Sequence, residues 1–186
     1  MQILALNCGS STLKFKVFEM GEDIPPGKER RMAHGVVERI GGLGTIKFIA
    51  ESGECLQKTE VVTDHFGATR QVIGWLRSLG FLEQDGLKAV GHRVVHGGHR
   101  FAGPALIDDE VIDGIEALRY LAPLHNEPSL MAIRATREVL GSTIPMVAVF
   151  EPLFTTRCLS GHPVMPSLRI GRQTGCTVVD FACRHK

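Results

Sequence analysis

Residues 2–18, Gln2-Ile3-Leu4-Ala5-Leu6-Asn7-Cys8-Gly9-Ser10-Ser11-Thr12-Leu13-Lys14-Phe15-Lys16-Val17-Phe18, decide the fold of this chain. Gln2 to Cys8 reads as a short apolar strand, and Leu13 to Phe18 alternates apolar and basic side chains with the two-residue period of a second strand. Gly9-Ser10-Ser11-Thr12 between them is a small, hydroxyl-rich turn. A hairpin tip of this kind presents backbone N–H groups, three hydroxyls and the Lys14 ammonium. That set can cradle phosphate, because small residues let an anion approach oriented amides. It is not a P-loop, since G-x-x-x-x-G-K-[ST] is absent and a strand follows the turn instead of a helix. An ordinary Gly-Ser hairpin has the same sequence signature, so both readings stand on the tip alone.

Working outward, residues 31–40, 45–50 and 57–62 predict further strands, with turns at Gly41-Gly42 and Glu51-Ser52-Gly53-Glu54. Asp64 is placed to cap a helix over 65–79, where Phe66, Val72, Ile73, Leu76 and Leu79 recur at helical spacing. Leu87 to His96 predicts a strand. Asp108-Asp109-Glu110 opens a second helix running to Tyr120, with acids favourable against its dipole. A third helix is expected from Asn126 to Leu140, with Leu130, Ile133 and Leu140 on one face. The β-branched run Ile144 to Phe150 predicts a buried strand. Consecutive strands followed by alternating helices and strands imply an α/β layer fold with a mixed sheet.

Composition excludes several classes. With 44% apolar and 22% charged residues, the 186-residue chain can bury a core. No apolar run approaches the ~18 residues of a membrane span, and no basic-then-apolar signal opens the chain. A cytoplasmic protein without a membrane partner is therefore expected. Scattered basic residues without aromatic interleaving give no nucleic-acid footprint. Five cysteines without framework spacing argue against a disulfide scaffold. Charge is uneven: residues 1–151 hold 16 Lys and Arg against 19 Asp and Glu, whereas 152–186 hold five against one, with three of the five cysteines.

Three more clusters lie at the ends of expected elements, where chemistry usually sits. In Gly91-His92-Arg93-Val94-Val95-His96-Gly97-Gly98, strand alternation puts His92, Val94 and His96 on one face and Arg93 and Val95 on the other. Arg93 beside Val95 suits a small carboxylate with a short apolar tail, the guanidinium gripping two oxygens. A structural ion pair for Arg93 and satisfied sheet positions for the histidines are the plainer readings. In Leu121-Ala122-Pro123-Leu124-His125-Asn126-Glu127-Pro128, Asn126 can cap the following helix. His125, just outside that helix and held by a proline-stiffened loop, could donate to a transferring phosphoryl group. Finally, Glu151 ends the strand Val147-Ala148-Val149-Phe150, a position that suits a catalytic or metal-binding carboxylate and equally a simple strand terminator.

Asn7-Cys8-Gly9-Ser10-Ser11-Thr12-Leu13-Lys14-Phe15, His92-Arg93-Val94-Val95-His96-Gly97-Gly98, Leu121-Ala122-Pro123-Leu124-His125-Asn126 and Val149-Phe150 together strongly resemble the acetate kinase family, in the same order. The resemblance covers residues 1–151, about the first two-fifths of a family member. It implies the actin/Hsp70/sugar-kinase (ribonuclease H-like) architecture, with this chain holding the first of two α/β domains that flank the active-site cleft. It also implies reversible phosphoryl transfer from ATP to acetate, giving acetyl phosphate and ADP, with Mg²⁺ or Mn²⁺, by a homodimer. Carried over residue by residue, Asn7 would assist the metal, and Ser10, Thr12 and Lys14 would face the nucleotide phosphates. Arg93 would bind the acetate carboxylate, with Val95 and Leu124 in the methyl pocket. His125 would help position the transferring group, and Glu151 stands in the place of the family's catalytic aspartate.

The resemblance stops at that residue. After Val-Phe the family continues Asp-Thr-Ala-Phe-His, whereas this chain reads Glu151-Pro152-Leu153-Phe154-Thr155. The family's second catalytic histidine, second arginine, adenosine site and metal-binding glutamate find no match further on. Codon arithmetic supplies a reason. Residues 151–160 can be written GAA-CCG-CTT-TTC-ACC-ACG-CGT-TGC-CTG-AGC. One C inserted after the first GA turns this into Asp-Thr-Ala-Phe-His-His-Ala-Leu-Pro-Glu, the family's own stretch. The expectation is a domain over 1–151 and an out-of-frame, poorly packed tail over 152–186. A zinc site from Cys158, His162, Cys176, Cys183 and His185 is the rival reading, weakened by ligand spacings unlike the usual paired arms. Two functional alternatives accompany the kinase: a non-catalytic fragment binding at most phosphate or nucleotide, and a propionate kinase, since one methylene changes selectivity by only about 1–3 kcal/mol.

Overall fold

The N-terminal hairpin is the seed of a sheet of eight strands. The structure, a computed structural model, describes residues 1–21, 29–82, 86–101, 103–120 and 126–150 in full, and 123–125, 165–173 and 176–184 as backbone. Strand β1 (Gln2–Cys8) pairs antiparallel with β2 (Thr12–Glu19), from Gln2 opposite Glu19 to Cys8 opposite Leu13. The meander continues through β3 (Arg30–Glu38), β4 (Gly42–Ala50) and β5 (Cys55–Val62). Helix α1 (His65–Ser78) then crosses the sheet, so β6 (Leu87–Val94) lies parallel to β1 on its other side. After β7 (Ala105–Leu106), α2 (Asp109–Ala117) and α3 (Pro123–Leu140), β8 (Met146–Phe150) adds parallel to β6, with β7 antiparallel at the edge. The order is β5-β4-β3-β2-β1-β6-β8-β7, the mixed α/β sheet that the sequence predicted. Strands β9 (Met165–Gln173) and β10 (Cys176–Arg184) pair antiparallel in a separate two-stranded sheet.

Period-two alternation sorts the two faces. Leu4, Leu6 and Cys8, Leu13, Phe15 and Val17, Val90 and Val94, and Met146, Ala148 and Phe150 are buried on one face. Val72, Ile73 and Leu76 of α1 and Leu130 and Ile133 of α3 join them in one core. An aromatic seam, Phe48 against Phe81 and Trp75 with centroids 4.9 and 5.8 Å away, fastens α1 to the meander. The other face carries Asn7, Thr12, Lys14, Lys16 and Arg93, and the chemistry collects there.

The Asp64 cap forms as expected, accepting from the Gly67 N–H at 2.7 Å, and Asp108 caps α2 by accepting from the Val111 N–H at 2.8 Å. Gly35 is required by packing. It sits opposite Phe15 in the β2–β3 register, and a Cβ there would collide with the Phe15 ring and the Lys47 carbonyl. Gly35→Ala is therefore expected to cost about 3 kcal/mol in urea unfolding. An unchanged midpoint would mean that the strands simply move apart.

Three expectations need correction. Helix α3 begins at Pro123 and not at Asn126, so His125 and Asn126 lie within the helix and the stiffened loop is largely its first turns. Strand β6 ends at Val94, with a bend at Val95, so alternation cannot assign faces to Val95 and His96. The edge strand β7 was not foreseen, because two residues are too short to show a period. Among the described residues no helix is long and apolar enough to cross a membrane. The expected junction at Glu151 lies outside the described residues, as do Cys158, His162 and His185 of the zinc reading; Cys176 and Cys183 lie in β10, where only backbone is described.

Candidate active site

Sheet register assembles the site. Lys14 on β2 is opposite Asn7 on β1, Asn7 is opposite Arg93 on β6, and Arg93 is opposite Val149 on β8. An ammonium, a carboxamide, a guanidinium and a branched apolar side chain thus form one row on the face away from the helices. The Arg93 Nη1 donates to Asn7 Oδ1 at 2.9 Å, a neutral partner that helps to orient the guanidinium. Lys14 is exposed, while Asn7 and Arg93 are half-buried. Thr12 and Lys16 flank Lys14 on the same face. Lys14, Lys16 and Arg93 make this face rich in cations, and burial, reinforced by the charges of Arg31 and Lys16, holds the His34 imidazole below its usual pKa. Such a surface attracts carboxylates and phosphates.

The hairpin tip lies at one end of this row. The Gly9 N–H donates to the Thr12 carbonyl at 2.8 Å and closes the turn, leaving Ser10 and Ser11 exposed. His65, the first residue of α1, lies beneath it with Nε2 2.8 Å from the Gly9 carbonyl, so Nε2 carries the proton and donates. Burial lowers the His65 pKa, against opposing contributions from the Gly9 and Thr12 carbonyls and Asp64. A cleft of about 310 Å³ opens beside the tip, lined in part by Ser10, Asp64, His65 and Glu127. Sequence reasoning missed His65, which reads there as an ordinary helical residue behind its cap.

Beyond β6 the chain turns through Gly97 and Gly98. Gly98 has φ 59°, and its N–H donates to His96 Nδ1 at 3.0 Å. Asn126 is fully buried and bonds to the backbone of His96, so its role is not the expected helix cap. The backbones of Leu124 and His125 lie in the first turn of α3; their side chains, and all of Glu151, fall outside the described residues. Strand β8 runs up to that glutamate, its end fixed by the Phe150 ring stacked on Phe101 at 4.5 Å. His92 takes no part in the site. It lies on the core face between Leu6 and Ala148, 2% exposed, with Nε2 unpartnered and burial driving its pKa down to about 3.

The metal expectation meets a poorer fit. Asn7 offers one carboxamide oxygen, already engaged by Arg93, and among the described residues no group of three His, Cys, Asp or Glu side chains could hold an ion. A Mg²⁺ or Mn²⁺ cage is therefore not provided by the described residues.

A profile of the acetokinase family matches residues 2–161, ten residues beyond the expected junction. The acetate kinase of Oceanobacillus iheyensis is 44% identical over 153 residues, 82% of this chain and 37% of that protein. That of Clostridium botulinum is 43% identical over 157 residues, 83% of this chain and 38% of the relative. Among solved structures, Porphyromonas gingivalis acetate kinase superposes with TM-score 0.70 at 33% identity, covering 80% of this chain and 37% of the other. A propionate kinase from Francisella tularensis gives 0.68 at 32%, covering 80% and 36%. The chain spans less than two-fifths of the length of these two curated relatives.

Proposed function

This chain belongs to the acetokinase family, and from that premise we propose that it forms part of a kinase transferring the γ-phosphoryl group of ATP reversibly to acetate, giving acetyl phosphate and ADP. The observation that carries the reading is the Asn7–Arg93 bond within the Lys14–Asn7–Arg93 row. It orients a guanidinium on a cation-rich face beside a small, hydroxyl-bearing tip. In this reading Arg93 grips both carboxylate oxygens, Val95 and Leu124 flank the methyl group, and Ser10, Thr12 and Lys14 face the nucleotide phosphates. His125 helps position the transferring group, and Glu151 stands at the reacting end of β8. Acetate is already an anionic nucleophile, so these residues have to align it and offset charge, with no strong base required. Mg²⁺ or Mn²⁺ would enter with the nucleotide, held chiefly by phosphates and water, with Asn7 as a neutral neighbour. A cytoplasmic homodimer without nucleic-acid or membrane partners completes the proposal. Propionate is the second reading, favoured by the likeness to the Francisella propionate kinase.

We infer further that residues 152–186 are read out of frame after a one-base loss at codon 151, because ten residues convert to the family's stretch in register. Resequencing that codon tests the inference, and an unchanged frame refutes it. Activity belongs to the frame-restored protein, in which acetate-dependent formation of acetyl phosphate from MgATP is expected; no turnover there sinks the kinase reading. The chain as it stands is expected to show little or no turnover; the fragment alternative is that it binds phosphate or nucleotide at most. Lys14→Ala should raise the KM for ATP about tenfold, the loss of one charge-assisted bond, with the thermal midpoint unchanged because the side chain is exposed. Parallel loss of stability and activity would make Lys14 merely structural.

A further inference from the structure

We propose that Asn126, supported by Ser129 one turn later, is a positioning residue that seats the Arg93–His96 segment on helix α3 and so determines where the carboxylate clamp lies. The inference rests on the acetate reading above.

Beyond Val94 the chain leaves the sheet, and its peptide groups need partners from elsewhere. Asn126 supplies two of them from one side chain: Oδ1 accepts from the His96 N–H at 3.2 Å, and Nδ2 donates to the His96 carbonyl at 3.0 Å. The carboxamide thereby stands in for the peptide group that a neighbouring strand would have offered. Ser129 Oγ donates to the Arg93 carbonyl at 3.2 Å. Both side chains are buried, at 0% and 1% exposure.

The spacing is the informative part. Residues 126 and 129 share a helix face, and they bond residues 96 and 93, also three apart. Three residues of helix rise only about 4.5 Å, whereas three of extended strand span about 10 Å. The bend at Val95 shortens the segment so that both bonds can form. Asn126 and Ser129 therefore brace the bend at Val95 from both sides. Because α3 also carries Leu124 and His125 in its first turn, the same contacts tie the two halves of the proposed acetate site together.

The test uses the isotope-labelled chain and acetate itself, followed by NMR at the Arg93 side chain and the amides of 93–98, below the thermal midpoint of each variant. In the native chain acetate should shift these signals, and Arg93→Ala should abolish the response. Asn126→Ala should weaken the apparent acetate affinity of the folded chain about tenfold and speed exchange of the His96 amide by a similar factor. Should that variant not fold, Ser129→Ala, which removes the bond to the Arg93 carbonyl, should weaken acetate about threefold. A role in stability alone would lower the midpoint yet leave the acetate affinity of the folded variant unchanged, and that result overturns the proposal. Absence of any acetate response in the native chain sinks the acetate reading, and this inference with it; a native response that persists undiminished in the variants sinks the inference alone.

Discussion

Arg93→Lys should lower kcat/KM for acetate about a hundredfold in the frame-restored enzyme and leave the KM for ATP within about twofold. The reasoning is geometric before it is electrostatic. Arg93 donates through one nitrogen to Asn7 Oδ1 at 2.9 Å, which helps to set the plane in which the guanidinium would meet a carboxylate. Lysine keeps the charge but offers one nitrogen on a flexible stem, and cannot hold Asn7 and two carboxylate oxygens in one plane. Losing a charge-assisted bond of about 1.5–3 kcal/mol corresponds to roughly 10–150-fold. The nucleotide residues lie across β1 and beyond it, so their binding should be spared. Steady-state kinetics in each substrate decides the matter. If acetate kinetics survive the substitution, Arg93 is not the clamp.

A second large effect is expected from a residue outside the site. Acidification from pH 6.5 to about 3 should remove on the order of 4–5 kcal/mol of stability through His92 alone. The imidazole is enclosed between Leu6 and Ala148 and stays neutral in the folded chain until about pH 3. In the unfolded chain it takes up a proton below about 6.5. Between these limits the unfolded state binds more protons, so stability rises with pH across the window and is complete above it. His92→Leu should abolish this part of the acid sensitivity. At pH 7.5 it should be neutral or stabilising, because it also removes the unpartnered Nε2, worth about 1–3 kcal/mol. Urea unfolding of both chains from pH 3.5 to 7.5 gives the comparison, and parallel curves would show that His92 already finds a partner or charges within the fold.

The strands were legible because one face is greasy and the other is not: Leu13, Phe15 and Val17 against Thr12, Lys14 and Lys16 is a local pattern. The Asp64 cap was equally legible, since a cap bonds three residues ahead. Lys14 facing Asn7 follows from a hairpin of known turn. Arg93 facing Asn7 does not, because parallel register across 86 residues leaves no local trace. Asn126 misled for the same reason. Its composition suits a helix cap, but its partner is His96, 30 residues earlier in the chain. The start of α3 went astray with it, since two prolines in six residues look like a loop when one opens a helix and the other is carried inside it.

The central strand also carries a timetable. On one side β1 finds β2 across a four-residue turn, and the meander to β5 is complete by residue 62 using only neighbours in sequence. On the other side β1 has nothing to pair with until residues 87–94 exist, and the partner then arrives in parallel, after a crossing helix. Local antiparallel pairing closes short loops and is quick, whereas distant parallel pairing pays loop-closure entropy first and is slow. Asn7 sits on that boundary. Its Lys14 side belongs to the early meander and its Arg93 side to the late addition, so the proposed phosphate cradle is shaped on a nascent half-sheet before the proposed carboxylate clamp has been synthesised. Until then, the edge of β1 that will receive β6 stays open for any other strand to occupy.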